Sequence, residues 1–331
     1  MLYYYALLYY NINLKQIKTM KKIHLISTLI GLLAFSTLAK ADLKVVTSIK
    51  PIHSLASYIM DGVGSPGLIV DGYNSPHSFQ LKPSHAKMLE QADIIFWIGE
   101  DLENFLEKPL ATIAKKAEKI ELLEIKGIKK LKFRERNIFE EHEGHDDHGD
   151  DAKKEEHDDH EGHGHGEYDP HIWLDPINAK IILNEITEHL IENDSKNAST
   201  YKSNLAKALA EIDKLIIDVI TETNTDLSYV VFHDAYQYYE NRFNVNILGA
   251  MTVNPDVMPG AEQIHEIHEV IEHDNVNCIL SEPQFNPDII KSIAKDTSVK
   301  TGVLDPLGAN LKPGKDLYFD LIRNMSASFN C

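Results

Sequence analysis

The sequence predicts an α/β protein of two lobes, each a parallel sheet flanked by helices, joined by one long rigid helix. Three observations predict it. Short β-branched apolar runs alternate with helical stretches, which implies parallel strands with helices on both sheet faces. A histidine-rich acidic tract and then a long one-sided helix interrupt that rhythm midway. After the helix the alternation of strand and helix begins again.

Taken in order, residues 43–49 (LKVVTSI) form a buried strand, and Pro51 opens a helix that Gly62 stops. Residues 67–70 make a second strand, followed by the loop DGYNSPHSFQLKPS and a helix over 83–92. Residues 93–98 (DIIFWI) are a third strand ending at Gly99, and further helix and strand run to about residue 125. Beyond the tract come HIWLDP and a helix over 177–192. The stretch 195–223 carries Leu205, Leu209, Ile212, Ile216 and Val219 on one face, the spacing of a long amphipathic helix. The second block has strands at 229–232, 245–248, 276–280 and 299–304, helices at 234–243, 259–274 and 287–296, and a terminal helix from about 315 to 328. The expected domains are therefore an N-terminal lobe over 42–194, the connecting helix over 195–223 and a C-terminal lobe over 224–331.

The amino end carries an export signal. Lys21 and Lys22 precede an apolar run over 23–38, and Ala39-Lys40-Ala41 fits a small-x-small cleavage site. Residues 20–41 are expected to be the signal peptide, with residues 1–19 an over-extended start. An uncleaved anchor is the alternative, for which the apolar run is short. Cleavage removes five lysines and no acids, so the formal charge moves from −18 to −23. That balance argues against nucleic acid or an anionic membrane surface as partner. The chain has two cysteines, Cys278 and Cys331. In an oxidising compartment they are expected to join, two free thiols being the alternative.

The tract 139–169 is the strongest compositional signal. From Glu140 to Asp169 it holds fourteen acids and seven histidines: His142, His145, His148, His157, His160, His163 and His165. It has no Leu, Val or Ile, and Phe only at its edge, so it buries too little to offset its ordering entropy, and a disordered loop is expected. Imidazole and carboxylate at this density read as a weak metal-binding loop, with zinc preferred over oxygen-seeking ions. A solvated acidic loop is the alternative.

Ligands collect at the carboxyl ends of strands in open parallel sheets. His77, His171, His233 and Asp305 all sit just past predicted strands or in inter-element loops, two in each lobe. Three imidazoles and a carboxylate suit tetrahedral zinc. Glu282 also follows a strand and is a candidate partner to a ligand. Against this, each histidine taken alone is more often structural than ligating. His53 and His85 are weaker candidates, His265 and His268 are three apart on a predicted helix and could form a surface metal site, with a solvated face as the favoured reading, and His189 and His273 read as surface residues.

These residues lie in stretches that carry a resemblance: SIKPIHSLAS, SPHSFQLKPS, ADIIFWIGEDLENFLEKP, HIWLDP, VVFHDAYQYYENRF, TVNPDVMPGAEQIHEI, SEPQF and TGVLDPLG, with the tract before HIWLDP. In this order they cover nearly all of residues 42–331, and the chain resembles the zinc-binding solute-binding proteins of bacterial ABC importers. The resemblance implies a metal-type periplasmic binding protein with Zn2+ held between the lobes as cargo. It implies no enzymatic activity, a periplasmic location, a monomer, and an ABC permease subunit as partner. It maps the family's three histidine ligands onto His77, His171 and His233, and its C-terminal disulfide onto Cys278 and Cys331. Some members carry a glutamate where this chain has Pro76, which leaves Asp305 or a water as the fourth ligand. Manganese and iron relatives carry glutamate at the position of His233. The competing reading of another class is a secreted zinc hydrolase, with Glu282 as its only candidate base and no HExxH motif. A soluble metal buffer using the tract alone is a third.

Overall fold

The computed structural model describes residues 42–134, 136–139, 166–255, 257, 259–297 and 299–331. The expected export signal, the expected over-extended start and the seven tract histidines lie outside the described residues.

Four strands build the first sheet: β1 (Val45–Ile49), β2 (Gly67–Val70), β3 (Ile94–Trp97) and β4 (Glu118–Glu121). Between them run α1 (Lys50–Ile59), α2 (Pro83–Gln91) and α3 (Glu100–Thr112). The sheet is parallel throughout, in the order β2-β1-β3-β4. A helical pair follows, α4 (Pro176–Asn193) and α5 (Ala198–Glu222). The second sheet contains β5 (Ser228–His233), β6 (Asn246–Thr252), β7 (Cys278–Ser281) and β8 (Lys300–Val303), with α6 (Gln237–Phe243), α7 (Ala261–His273) and α8 (Asp288–Thr297) between them. It too is parallel, in the order β6-β5-β7-β8. Both sheets thus place their first strand second in order, so the crossover direction reverses beside β1 and beside β5. Those reversals open the crevices where loops after the strands can hold a ligand.

The physical origin is visible in burial. All five residues of β1 and all four of β3 are buried, as a strand covered on both faces must be. The long helix α5 starts at Ala198, because Ser195–Asn197 close a short 3-10 turn tied to the Asp194 carboxylate by Asn197 and the Tyr201 hydroxyl. Of its expected apolar stripe Ile212 and Val219 are fully buried, with Ala208 and Leu215 beside them, while Leu205, Leu209 and Ile216 are half-buried at the stripe's margin. The helix packs on α1 and α4, and also on the terminal helix α9 (Leu317–Ser328). That terminal helix, grouped with the C-terminal lobe in sequence, also packs against α1. The Ser54 hydroxyl of α1 accepts the Tyr318 amide at 2.9 Å. Cys278 and Cys331 form a disulfide. Among the described residues no helix is long and apolar enough to cross a membrane.

The tract is anchored more tightly at its ends than its composition predicts. Before it, Ile138 bridges Gly249 antiparallel, and the Phe139 amide donates to Leu248 at 2.8 Å. This short segment covers the free edge of β6. A Cβ on Gly249 would lie 2.7 Å from the Asn137 carbonyl oxygen, so only glycine admits the contact. After the tract, Tyr168 bridges Lys132, the Gly166 amide donates to Asp101, and Asp169 is buried. Phe139 and residues 166–169, expected within the loop, thus make these contacts with the lobes, and Asp169 among them is buried.

Candidate metal centre

His233 is the last residue of β5, and β7 is its neighbour in the sheet. The register pairs Val231 with Leu280, so two residues further on His233 faces Glu282 across the carboxyl ends of the strands. There the His233 Nδ1 meets Glu282 Oε1 at 2.6 Å. His171 enters differently. Asp169 Oδ1 accepts both the backbone amide of His171, at 2.9 Å, and its ring Nδ1, at 2.7 Å. One carboxylate oxygen therefore fixes the chain and the ring together. Asp169 is itself held by its amide to Leu131 and by the Tyr238 hydroxyl on its carbonyl. His77 comes from the loop after β2, where its amide donates to the Ser75 hydroxyl at 3.2 Å.

The three rings converge. Their ligand atoms all lie within 4.8 Å of one another. The Nε2 atoms of His171 and His233 are 3.3 Å apart. His171 and His233 are buried, and His77 is partly exposed. Pro76, Trp173, Phe285, Pro306 and Leu307 wall a cavity of about 10 Å³, space for about one water-sized sphere. In such apolar surroundings ion–ligand attraction is strong.

The donor set fits a divalent ion of intermediate softness. With Nδ1–H donated to a carboxylate, Nε2 keeps its lone pair for the centre, and the carboxylate makes that nitrogen more basic. Glu282 Oε2 and Asp169 Oδ2 are buried without a hydrogen-bond partner among the described residues. Two under-satisfied carboxylates beside an apolar cavity favour a cation inside it.

The protonation states follow from the same contacts. Burial holds His171 well below the usual histidine range, and the neighbouring charge on His233 acts in the same direction. Burial also pushes His233 down, but the Glu282 carboxylate, with Asp234 and Asp169 acting in the same direction, leaves the pKa raised. Burial pushes Asp169 up to about 7. Two Nε2 atoms facing each other attract only if one carries a proton, and the raised pKa places it on His233. A divalent ion must displace that proton. Affinity is therefore full above the His233 pKa and falls as pH drops through it. We expect zinc affinity to fall about tenfold per pH unit below that point, with about one proton released per ion. Zinc calorimetry in buffers of different ionisation enthalpy reads the proton count directly, and a pH-independent affinity between 5 and 8 would contradict it.

The structure does not bring Asp305 into this group. Its carboxylate faces its own turn, accepting the amides of Leu307, Gly308 and Ala309 and the side-chain amide of Gln284. His53 and His85 bond locally, to Pro66 and to the Lys82 amide. His265 pairs with Glu269 on an exposed helix face, and His273 is exposed. His189, expected at the surface, is half-buried between Glu118 and Glu185 and forms a second cluster with Glu118 and Glu192. Asp169 was missed as a partner of His171. The signal for it was its position two residues before a histidine, close enough to bond ring and backbone together.

A family model described as "Zinc-uptake complex component A periplasmic" matches residues 45–330. This chain belongs to that family. The High-affinity zinc uptake system protein ZnuA of Brucella abortus (strain 2308) is 45% identical over 327 residues, 94% of this chain and 98% of its own. The protein of the same name from Yersinia pestis is 36% identical over 293 residues, 87% of this chain and 91% of its own. A crystal structure of ZnuA superposes with a TM-score of 0.68 at 21% identity, covering 87% of this chain and 100% of its own. Its likeness extends the match to the two-sheet fold. The zinc-uptake component A family consists of solute-binding receptors rather than enzymes.

Proposed function

We propose that this chain captures Zn2+ in the periplasm through His77, His171 and His233 and delivers it to the permease of an ABC importer. The observation that carries this reading is the convergence of three imidazoles, two of them each held by a buried carboxylate. Family membership and the names of the relatives support it. Glu282 positions His233, and Asp169 positions His171. The fourth position is left to water, because Glu282 is engaged with Nδ1 of His233, on the side of that ring away from Nε2. Imidazole at position 233 favours zinc over manganese. The family consists of solute-binding receptors rather than enzymes, which disfavours the hydrolase. Residues 20–41 direct export, Cys278 and Cys331 are joined in the oxidising compartment, and the tract histidines add weaker sites outside the cleft.

Delivery has an energetic requirement. A nanomolar site holds its ion by about 12 kcal/mol, so the permease must stabilise an altered arrangement of the ligands rather than wait for spontaneous loss.

The test is competitive titration of residues 42–331 against a chelator, with zinc and with manganese, alongside a chain lacking residues 140–165. One tight zinc site in both chains, at least about tenfold tighter for zinc than for manganese, is expected. Only the weaker sites should vanish with the tract. Tighter manganese binding, or loss of the tight site on deletion, would overturn the proposal.

A further inference from the structure

We infer that Lys50 is a positioning residue for metal retention: it anchors the turn at residues 305–311, against which the loop bearing His77 is held. The inference rests on His77 acting as a ligand, as proposed above.

Lys50 is the first residue of α1, directly after β1, and is only 2% exposed. A buried ammonium is costly unless its donors are satisfied. Its Nζ donates to three carbonyl oxygens of one turn: Gly308 at 2.6 Å, Ala309 at 3.0 Å and Leu311 at 2.7 Å. Three bonds use all three of its donors. The same turn is gripped from its other polarity by Asp305, which accepts the amides of Leu307, Gly308 and Ala309. A cation thus collects the carbonyls and an anion collects the amides. Gly308, at φ +69°, allows the sharp reversal this requires.

This fixed turn meets the metal centre directly, through Trp173, and through the loop that bears His77. Pro306 and Leu307 wall the cavity. The Pro306 carbonyl accepts the Trp173 indole N–H at 2.9 Å, and the Trp173 ring lies 5.4 Å from that of His171. The Tyr73 hydroxyl donates to Asn310, and Asp71 lies 3.8 Å from the Lys50 ammonium. Tyr73 and Asp71 begin the loop that ends at His77. His77 lies four residues beyond Tyr73 on this loop, so a loop tied to the turn through Tyr73–Asn310 and to Lys50 through Asp71 carries His77 with it.

The experiment compares the exported chain with Lys50→Met, Tyr73→Phe and His77→Ala variants. Zinc dissociation is followed by chelator trapping in a stopped-flow instrument, and the absorption of bound Co2+ reports the ligand set. Lys50→Met is expected to release zinc about tenfold faster, because lost charge-assisted bonds act mainly on dissociation. Its Co2+ spectrum should shift towards that of His77→Ala, a change that mere loss of stability does not produce. Tyr73→Phe, which removes one exposed hydroxyl and spares the core, should show the same shift at about threefold faster release. If Lys50→Met does not fold, Tyr73→Phe decides alone. Wild-type release and a wild-type spectrum in the folded variants would overturn the role of Lys50. Wild-type release in His77→Ala would instead overturn the metal-site reading on which it rests.

Discussion

Replacing His171 and His233 together by alanine is expected to lower zinc affinity by at least about a thousandfold. The two rings supply opposed Nε2 atoms 3.3 Å apart, and no other described side chain offers nitrogen at that point except His77. A single remaining imidazole cannot hold a borderline ion tightly. The double variant also strips two buried carboxylates, Asp169 and Glu282, of their ring partners at 2.7 and 2.6 Å. Leaving a buried charge unpaired costs several kcal/mol, and burial already pushes Asp169 up to about 7, so its carboxyl should take up a proton near neutral pH. The variant must therefore be checked by circular dichroism before titration. A folded double variant that binds one zinc as tightly as wild type would falsify the assignment and move the tight site elsewhere, with the tract as the first place to look. A folded variant that keeps only the weaker class would leave the tract in a subsidiary role.

The alternation of strand and helix was readable because most buried strands are short β-branched or aromatic runs and several breaks, such as those at Gly62, Gly99 and Pro259–Gly260, carry glycine or proline. Val45–Ile49 and Tyr229–Phe232 needed no tertiary information. Glu282 was readable for the same reason: once two neighbouring strands are parallel, residues just past their ends must meet. Asp305 had the same address after β8 yet turned away, because the turn that follows offers it three backbone amides. Counting strand ends identifies which residues are near a cleft but not which local donors compete for their carboxylates. Composition failed in a different place. Tyr168 and Asp169 share the polarity of the tract, but one bridges Lys132 and the other orients a ring, and neither role leaves a compositional trace. The burial of Lys50 was hidden for a related reason. A lysine next to a strand reads as a solvated end until the turn that takes its three donors, more than 250 residues away in the chain, is brought beside it.

Removing the cross-link, by Cys278→Ser with Cys331→Ser, is expected to cost about 4 kcal/mol of stability. The two cysteines are 53 residues apart, and the closed loop contains α8, β8, the 305–311 turn and α9. Loop closure in the unfolded chain gives that figure, which strain or residual structure would reduce. The location decides what else changes. Cys278 begins β7, while Glu282 lies just past its other end, about 13 Å away at strand spacing. The cross-link thus holds the end of the chain against the amino edge of the second sheet, remote from the rings. Zinc affinity of the folded double-serine variant should therefore stay within about threefold of wild type. Denaturant titration should show a lower midpoint that saturating zinc partly restores, because binding to the native state alone adds stability by mass action. An unchanged midpoint would mean that packing of α9 on α1 and α5 already fixes the carboxyl end. A midpoint lowered together with a collapse of zinc affinity would mean that the sheet transmits the loss to its opposite edge, against the rigidity that the metal centre requires.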